Sequence, residues 1–384
     1  MSLFLSTQVL LGAGLVFDSL LRFALLCLRG LKRPLNRVDD AATGNCFILI
    51  PAHDEAGTIG ATVATLQAHL HEWPGASLWV VADRCADATA QEAAANGARV
   101  AERNAGPLGK GAVLAWWLKE HAAVWQADDC VVVLDADSRL APGSLRALSC
   151  AMQPAVAAAQ AFVAPAAHSR AGRLAGWSEV LMQRIDDEAR LRCGWNVPLR
   201  GAGMVFRAAT LAELAPRLHT LAEDLELDVL LAAQLANVLF VPQAVVFDPK
   251  PQQSAGASRQ RARWLQGQLQ VLRDYWREAL RALRIGGVGA WFLLWLLMLR
   301  PKTAFIGLRL LALFAGMLFG QTWLAGVALF GLLLDALYYL GGALLIEDRS
   351  RYLRDLFAAP RYVAMWLYSL GLATVRRGWL KAGR

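Results

Sequence analysis

Residues 285–346 limit the possible folds of this chain most strongly, because they are apolar almost throughout. Only Arg300, Lys302, Arg309 and Asp335 are charged in this stretch. A helix that crosses a bilayer needs about 20 consecutive, mainly apolar residues. The whole chain of 384 residues is 56% hydrophobic and only 18% charged, against about 25% charged in soluble domains. The composition therefore argues against an ordinary soluble enzyme.

The apolar stretch predicts a membrane hairpin, residues 301–346. Its two spans are expected at 303–320 and 322–346, joined at Gly320 and Gln321. A partition with spans at 285–308 and 310–334 is the alternative. It changes the topology but not the chemistry.

The segments on either side of the hairpin are predicted to lie on the membrane surface. Residues 285–299 are short for a span and end at basic residues, which is typical of an interfacial helix. The C-terminal segment, 347–384, contains an amphipathic piece at 361–375 that ends at Arg376 and Arg377. Both segments are expected on the cytoplasmic side, because basic residues are enriched there.

The N-terminal residues 1–30 predict a further membrane helix. Residues 3–28 are long and apolar enough to span, and Asp18 and Arg22 can neutralise each other at i and i+4. Basic residues follow directly, which places the chain after them in the cytoplasm. They are Arg29, Lys32, Arg33 and Arg37. A buried amphipathic helix is the alternative to an uncleaved anchor.

Charge and cysteine usage exclude several functions. The formal net charge is +8, without runs of basic and aromatic residues typical of nucleic-acid binding. The six cysteines form no C-x-x-C pair and have no histidine at zinc-ligand spacing. We therefore expect no nucleic-acid partner, no disulfide framework and no zinc site, and a reducing compartment.

Between the apolar ends, residues 45–255 alternate strand and helix patterns. Such alternation predicts a mostly parallel sheet with helices on both faces. Thr58, Asp87 and Pro142 stand near helix starts, as capping or first-turn residues. The predicted strands are 46–51, 78–83, 130–135 and 239–246, and the predicted helices lie near 57–72, 87–96, 109–126 and 142–152.

Acidic residues follow three of these strands. Glu55 comes after the first, Asp83 ends the second, and Asp135 and Asp137 end the third. Because the carboxyl ends of parallel strands meet at one sheet edge, we expect these acids to converge. Asp135 and Asp137 point to the same side, which suits a divalent cation that also binds phosphate. Solvated turn acids are the alternative.

Two further motifs follow the sheet pattern. Glu223 and Asp224 begin a helix, where acids are also expected simply as partners of the helix dipole. Gln260, Arg263 and Trp264 share one face of a later helix. A guanidinium suits diphosphate oxygens and an indole suits a sugar ring. A basic helix lying on an anionic bilayer is the alternative, and both interpretations can hold together.

Two glycine-rich motifs are weaker. Lys110 lies in GKG, where it and the backbone amides can meet phosphate. Gly201 and Gly203 lie in LRGAGMVFR, where glycine permits close backbone approach to a ligand, or simply a tight turn. His53 lies in the first strand-end cluster, where a supporting hydrogen bond is the favoured role.

Taken together, ILIPAHDE, VVADRCADATA, GKG, VVVLDAD, AEDLELD and QRARW resemble the motifs of the family 2 glycosyltransferases in order and spacing. The resemblance covers about 45–270. It is strongest to the membrane-bound branch of cellulose, chitin and hyaluronan synthases, and WLKAGR at the C-terminus resembles that branch too. It implies a GT-A fold, with 45–255 as the catalytic domain and 256–300 as the Q-x-x-R-W and interfacial helices.

The resemblance also implies roles for single residues. Asp224, with Glu223, would be catalytic and take a proton from the acceptor hydroxyl, with inversion. Asp137 would bind Mg²⁺ or Mn²⁺, and Gly201, Gly203 and Trp264 would bind the acceptor. The implied nucleotide-sugar contacts are Pro51, His53, Glu55, Asp83, Lys110, Asp135, Gln260 and Arg263.

The implied function is transfer from a nucleotide-diphosphate sugar, most often a UDP-sugar, to a lipid-linked or growing glycan in cell-surface polysaccharide synthesis. The alternatives are a processive synthase that also secretes its polymer, and an inactive scaffold of a synthase complex. The expected place is a bacterial inner membrane, multi-pass, with the catalytic domain in the cytoplasm. Membrane lipids and polysaccharide assembly or export proteins are the expected partners.

Overall fold

A computed structural model describes residues 2–31, 44–166, 170–249, 254–298, 302–346, 348–357 and 359–360. The predicted amphipathic piece at 361–375 and the closing WLKAGR lie outside these residues. So do Lys32, Arg33 and Arg37 of the predicted basic flank.

The strands of the described residues pair into one eight-stranded sheet in the order β3-β2-β1-β4-β7-β6-β8-β5. Its strands are β1 (Cys46–Ala52), β2 (Ala76–Asp83), β3 (Arg99–Arg103), β4 (Cys130–Val133), β5 (Arg139–Leu140), β6 (Ala158–Ala166), β7 (Met204–Arg207) and β8 (Val238–Pro249).

The sheet is mixed. Strands β1 to β4 are parallel, as predicted, but β7 runs antiparallel to both β4 and β6. The sequence patterns missed β3, β5, β6 and β7. Strand β6, AAQAFVAPA, consists mainly of alanine, which has a low strand propensity. Its burial against neighbouring strands decides its conformation.

The helices cover both faces of this sheet and continue beyond it. They are α1 (Ser2–Leu28), α2 (Ile59–Gln67), α3 (Thr89–Ala95), α4 (Lys110–Glu120), α5 (Ser144–Ala151), α6 (Arg170–Leu181), α7 (Glu188–Cys193), α8 (Ala208–Leu214), α9 (Glu223–Ala233), α10 (Ser254–Asp274), α11 (Trp276–Ile285), α12 (Gly287–Met298), α13 (Lys302–Leu318), α14 (Thr322–Ala343) and α15 (Arg349–Leu356).

Of the three residues predicted near helix starts, only Asp87 makes a capping contact. Thr58 precedes α2 but its side chain makes no capping hydrogen bond. Asp87 lies two residues before α3, and its carboxylate accepts the Thr89 N–H at 3.0 Å. Pro142 lies outside α5, which Gly143 precedes in a left-handed conformation.

The core lies on both faces of the sheet. Along β1, Phe47 and Leu49 belong to one buried cluster, whereas Ile48 and Ile50 belong to the other. This division follows from the alternation of side chains along a strand. The sheet is therefore shielded from water on both sides, and its polar chemistry is restricted to its edges.

A helical bundle is formed by α1, α13 and α14. By length and composition, α1 within Leu11–Leu28 and α14 are able to cross a membrane, whereas the apolar part of α13, Phe305–Leu318, is shorter. The turn between α13 and α14 lies where the hairpin was predicted.

Buried charges join the helices of this bundle. Arg22 pairs with Asp18 at 2.5 Å, as their spacing predicts. Arg309 donates to Asp335 at 2.8 Å, and Ser19 donates to the other oxygen of Asp335 at 3.0 Å. A fixed ionic contact therefore links all three helices.

The bundle contacts the sheet domain at a π-helical turn, Met182–Asp187. Tyr338 of α14 donates to the Asp186 carboxylate at 3.0 Å. Arg29, just after α1, donates to the Arg184 carbonyl at 2.6 Å and pairs with Glu188 at 3.0 Å. The N-terminal helix and the C-terminal hairpin thus both contact the sheet domain around this turn.

Candidate active site

The carboxyl ends of β2, β1 and β4 lie side by side at one edge of the sheet, because these strands are parallel neighbours. This places Glu55, Asp83, Asp135 and Asp137 at the carboxyl ends of neighbouring strands, as the sequence predicted, and Pro51 lies near the end of β1. Strand β4 ends at Val133, so Asp135 lies in the loop just beyond it.

The loops after β1 and β2 are fastened to each other. His53 makes a ring-nitrogen hydrogen bond of 2.7 Å to the Asp83 carbonyl, which is the supporting role favoured by the sequence. Asp54 accepts the Ala86 N–H at 2.8 Å. The backbone N–H of Glu55 donates to Thr89 at 2.8 Å. These contacts hold the two loops together at the carboxyl ends of β1 and β2.

Asp83 is buried and is engaged by two guanidinium groups. Arg103 donates to one carboxylate oxygen at 2.6 Å, and the side chain of Arg84 donates to both. Sequence reasoning missed Arg103, since it did not recognise β3. The Asp83 carboxylate therefore binds the cationic side chains of Arg84 and Arg103. A contact to a nucleotide would be additional.

Lys110 contacts three other predicted site residues. Its Nζ donates to Asp135 at 2.6 Å and to the Gly201 carbonyl at 2.7 Å, and lies 3.9 Å from Glu223. Burial lowers the pKa of Lys110, but the charges of Asp135 and Glu223 outweigh burial and raise it. The GKG motif thus places a permanent cation between the strand-end acids and α9.

Glu223 and Asp224 occupy the first turn of α9. Burial raises the pKa of Glu223 to about 7, with repulsion from Asp224 and Asp135 adding to it and Lys110 opposing it. Asp224 accepts the Leu225 N–H at 2.9 Å. A carboxyl with a pKa near neutrality in a cleft is typical of a functional site.

Glu226, in the same helical turn, was missed by sequence reasoning. It is fully buried, and its carboxylate accepts the N–H groups of His219 and Thr220 at 3.1 and 3.0 Å. It therefore fixes the loop that leads into α9. In the sequence, Glu226 stands out only as the third acid of AEDLE. Acids are expected in the first turn of any helix as partners of the helix dipole, so this position alone does not indicate that Glu226 fixes a loop.

Helix α10 packs directly on the start of α9. A Cβ added at Gly267 would lie 2.7 Å from the Cβ of Ala222, which precedes Glu223. Gln270 accepts the Leu221 N–H at 3.0 Å. Gln260, Arg263 and Trp264 lie three to seven residues before Gly267, about 5–10 Å along the helix axis.

These packing contacts fix α10 against the start of α9, which carries the carboxylate pair. The Trp264 side chain is exposed, as expected for a stacking surface. Arg263 is partly buried. The sequence placed these residues on one helical face, but only the contact at Gly267 shows which part of the sheet domain that helix meets.

Different structural constraints explain why glycine occupies the two positions in LRGAGMVFR. Both have positive φ, +79° at Gly201 and +70° at Gly203. Open space surrounds the Cβ position of Gly201, whereas a Cβ at Gly203 would lie 2.7 Å from Val246 and 3.0 Å from Ala161. Gly201 thus faces the site, and the packing of β6 and β8 accounts for Gly203.

Within the described part of the chain, we consider two groups of acids as possible ligands of a divalent cation. Asp135, which Lys110 contacts, and Asp137 in the same loop are partly exposed, and offer the hard oxygens that Mg²⁺ and Mn²⁺ prefer. Asp54, Cys85 and Asp87 form a second group, with ligand atoms within 4.8 Å of one another. Burial raises the pKa of Cys85, which keeps the thiol protonated and a poor ligand. The donor set therefore favours Asp135 and Asp137.

Comparisons with solved structures place this site in a known fold. The mannosyltransferase PcManGT from Pyrobaculum calidifontis, in complex with GDP-Man and Mn²⁺, is 19% identical over 95% of this chain and 98% of that chain, with a TM-score of 0.56. Glucosyl-3-phosphoglycerate synthase from Mycobacterium tuberculosis, in complex with Mn²⁺, UDP and phosphoglyceric acid, is 22% identical over 53% and 70%, with a TM-score of 0.38.

Mannosyl-3-phosphoglycerate synthase from Rubrobacter xylanophilus is 20% identical over 54% of this chain and 67% of that chain, with a TM-score of 0.36. No curated protein sequence matches this chain. The family model of glycosyl transferase family group 2 matches residues 130–370, well over half of the chain. The protein therefore belongs to glycosyl transferase family group 2, and it is a glycosyltransferase of the GT-A fold.

Proposed function

We propose that this glycosyltransferase moves a sugar from a nucleotide-diphosphate sugar to a lipid-linked or growing glycan at the cytoplasmic surface of a membrane. The observation that carries the proposal is the position of Lys110. Its ammonium group contacts a strand-end acid, the carbonyl of the glycine motif and, at 3.9 Å, the first acid of α9. Residues proposed for the donor (Asp135), the acceptor (Gly201) and catalysis (Glu223) therefore surround one cation.

The nucleotide-sugar contacts are proposed on the loops after β1, β2 and β4 and on the neighbouring part of α10. Pro51, His53, Glu55 and Asp83 would face the nucleoside, and Asp135, Lys110, Gln260 and Arg263 the ribose and diphosphate. PcManGT was solved with GDP-Man, and the mycobacterial synthase with UDP. The predicted preference for a UDP-sugar therefore has to be tested against GDP-sugars.

A divalent cation is proposed at Asp137, with Asp135 beside it. The two carboxylates provide hard oxygen ligands, and solved structures of similar fold contain Mn²⁺ or Mg²⁺. When bound, such a cation neutralises charge that develops on the departing nucleotide diphosphate. Lys110 and Arg263 contribute positive charge from the chain itself to the same end.

The acceptor is proposed to meet the carboxylate pair of α9. Asp224 would accept the proton of the attacking hydroxyl, and in-line attack would invert the anomeric centre. Glu223 faces Lys110, and with a pKa of about 7 it is only partly ionised at neutral pH. Trp264 and Gly201 would hold the acceptor sugar, with Gly203 shaping the turn.

Membrane attachment is proposed through α1 and α14. Both are long and apolar enough to span, and the charges between them are neutralised as buried pairs. A processive synthase would in addition need a channel for its polymer. Among the described residues only these two helices meet the length and composition of a span, which favours single-sugar addition. An inactive scaffold would have no chemical reason to keep a near-neutral carboxyl beside Lys110.

The deciding experiment measures nucleotide release by detergent-purified protein with Mn²⁺ or Mg²⁺. Panels of UDP-sugars and GDP-sugars are supplied with and without total membrane lipid extract, and the product is sized. Lipid-dependent release with one added sugar is expected. A long polymer made without added lipid would instead establish the processive alternative, and absence of release with every donor would contradict the proposal.

A further inference from the structure

The surface formed by the end of α10, α11 and α12 contains a groove that the proposed chemistry does not use. Its volume is about 430 Å³, within the range of ligand sites, and its walls are almost entirely hydrocarbon. Much of the lining is exposed to solvent, which is typical of an interaction site. The lining includes Leu272, Trp276, Leu280, Trp291, Leu294 and Trp295.

This groove adjoins the helix that bears the catalytic acids. Ala282 of α11 and Tyr275 just before it are buried in the same core cluster as Leu227 and Leu230 of α9. Tyr275 donates to the Arg217 carbonyl at 2.6 Å, before the loop that leads into α9. One face of α11 thus holds α9, and the adjacent face forms the groove.

Helix α10 connects the groove to the acceptor side of the site. Trp264, the proposed sugar platform, and Leu272, which lines the groove, are eight residues apart on α10. This separation is about 12 Å at 1.5 Å per residue. A sugar joined to a hydrocarbon chain through phosphate can bridge such a distance, with its sugar at Trp264 and its chain in the groove.

Basic residues run beside the groove along α11. Arg277, Arg281 and Arg284 each follow a groove residue by one position, and all three are exposed. One position is about 100° of helix rotation, so the arginines form a stripe next to the apolar one. Guanidinium groups bind phosphate with charge-assisted hydrogen bonds. The groove therefore has an apolar body and a cationic border.

The far wall of the groove touches the proposed membrane anchor. Trp295 packs edge to face against Phe17 of α1, with ring centroids 4.5 Å apart. Trp291 stacks near Trp295 on the same wall. Phe17 lies within Leu11–Leu28, the part of α1 that is long and apolar enough to span. A lipid can thus enter the groove from the bilayer without crossing water.

We propose that this groove holds the hydrocarbon tail of a lipid-linked acceptor, with its phosphate against the arginine stripe of α11 and its sugar toward Trp264 and Asp224. The inference rests on the proposed function and names its acceptor class, a phosphate-linked lipid.

The test uses photolabelling of the full chain in detergent. The probe is geranylgeranyl phosphate with a diazirine at the end of its tail, and the labelled peptides are identified by mass spectrometry. We expect labelling within α11 and α12 that excess geranylgeranyl phosphate removes. Equal labelling by a diazirine phosphatidylcholine that geranylgeranyl phosphate does not displace would show ordinary membrane lipid in the groove and overturn the proposal.

A groove-filling variant and a matched control make the test specific. Ala279 lines the groove, and Ala279→Phe fills it while keeping the surface apolar. Ile285→Phe adds an aromatic ring at an exposed position that does not line the groove. We expect Ala279→Phe to lower specific labelling at least about tenfold, and Ile285→Phe to leave it unchanged. Equal labelling of both variants would contradict the assignment.

Nucleotide release separates this inference from the proposed function. Ala279→Phe is expected to lower lipid-stimulated release and to leave donor hydrolysis without lipid unchanged. Unchanged lipid-stimulated release in Ala279→Phe would overturn the groove assignment while the proposed function stands. If the wild type releases nucleotide from no donor, the proposed function fails, and the labelling alone decides whether the groove binds a phosphate-linked lipid.

Discussion

At the residue scale, Asp224 provides the most direct test of the chemistry. Asp224→Asn removes the proposed proton acceptor without changing the size of the side chain. General-base assistance contributes about 10²–10⁴-fold, so transfer should fall by about that factor. Nucleotide affinity should remain, because Asp224 is not among the proposed nucleotide contacts. Steady-state rates and nucleotide binding by calorimetry measure the two quantities.

Asp128→Asn is the matched control for this variant. Asp128 is exposed and lies just before β4, at the opposite end of that strand from Asp135. It should retain the wild-type rate. Full transfer by Asp224→Asn, with nucleotide affinity also retained, would exclude Asp224 as the base.

The raised pKa of Glu223 predicts that the free energy of unfolding depends on pH. Its pKa is about 7 in the folded chain against an ordinary value of 4.5, so the folded state holds the proton more tightly. The free energy of unfolding should therefore fall as pH rises from about 4.5 to about 7, by at most about 3 kcal/mol at 1.36 kcal/mol per unit. Glu223→Gln should abolish this decline.

Melting temperatures at pH 5 and pH 8 test this expectation. The fall in Tm between the two values should be smaller in Glu223→Gln than in the wild type. Glu213→Gln, at an exposed position on α8, should behave as the wild type. The same pH response in all three proteins would show that Glu223 is not held protonated by the fold.

At the element scale, the contact between α10 and α9 depends on Gly267. A methyl group there would lie 2.7 Å from Ala222 Cβ, so Gly267→Ala must push α10 away from the start of α9. Overpacking of this kind costs about 1–3 kcal/mol. We expect a lower Tm and a lower transfer rate, since Arg263 and Trp264 move with α10. Thermal unfolding and nucleotide release report the two effects.

Gly326→Ala is the corresponding control, because Gly326 is also helical and nothing lies within 4 Å of its Cβ position. Alanine should be neutral there, or stabilising by up to about 1 kcal/mol. If Gly267→Ala has the same small effect, the close approach of α10 to α9 is not required for the site.

At the scale of the whole molecule, the bundle of α1, α13 and α14 depends on its buried charges. Asp335→Leu leaves Arg309 buried without its main partner, and loss of one member of a buried pair costs about 3–5 kcal/mol. Replacing both, as Asp335→Leu with Arg309→Met, should recover most of that loss. Thermal unfolding in detergent compares the single and double variants. A single variant as stable as the wild type would show that the pair does not hold the bundle together.

The strands predicted from the sequence agree with the structure where the local residue pattern is enough to specify a strand. Strands β1, β2 and β4 are unbroken runs of apolar residues that end in polar ones, so burial and alternation identify them. Strand β6 is rich in alanine and β7 has only four residues, and their pairing across the chain, not their own propensity, makes them strands. The antiparallel half of the sheet was therefore not predictable from local pattern.

The same division applies to the candidate site. Asp135, Lys110 and Glu223 were each recognisable from their motifs, because strand ends, GKG and E-D are local patterns. Arg103 and Glu226 were not, since their roles depend on partners, Asp83 and the loop of His219 and Thr220, that only the fold brings to them.

The sequence by itself determined the family motifs, the apolar helices and the acids at the strand ends, because these depend on residue type and short-range periodicity. Only the tertiary structure decided that Lys110 joins Asp135 to Glu223, that Gly267 sets α10 against α9, and that α11 and α12 enclose an apolar groove. Those contacts connect residues far apart in the chain, and their distances depend on packing in three dimensions, which no local pattern encodes.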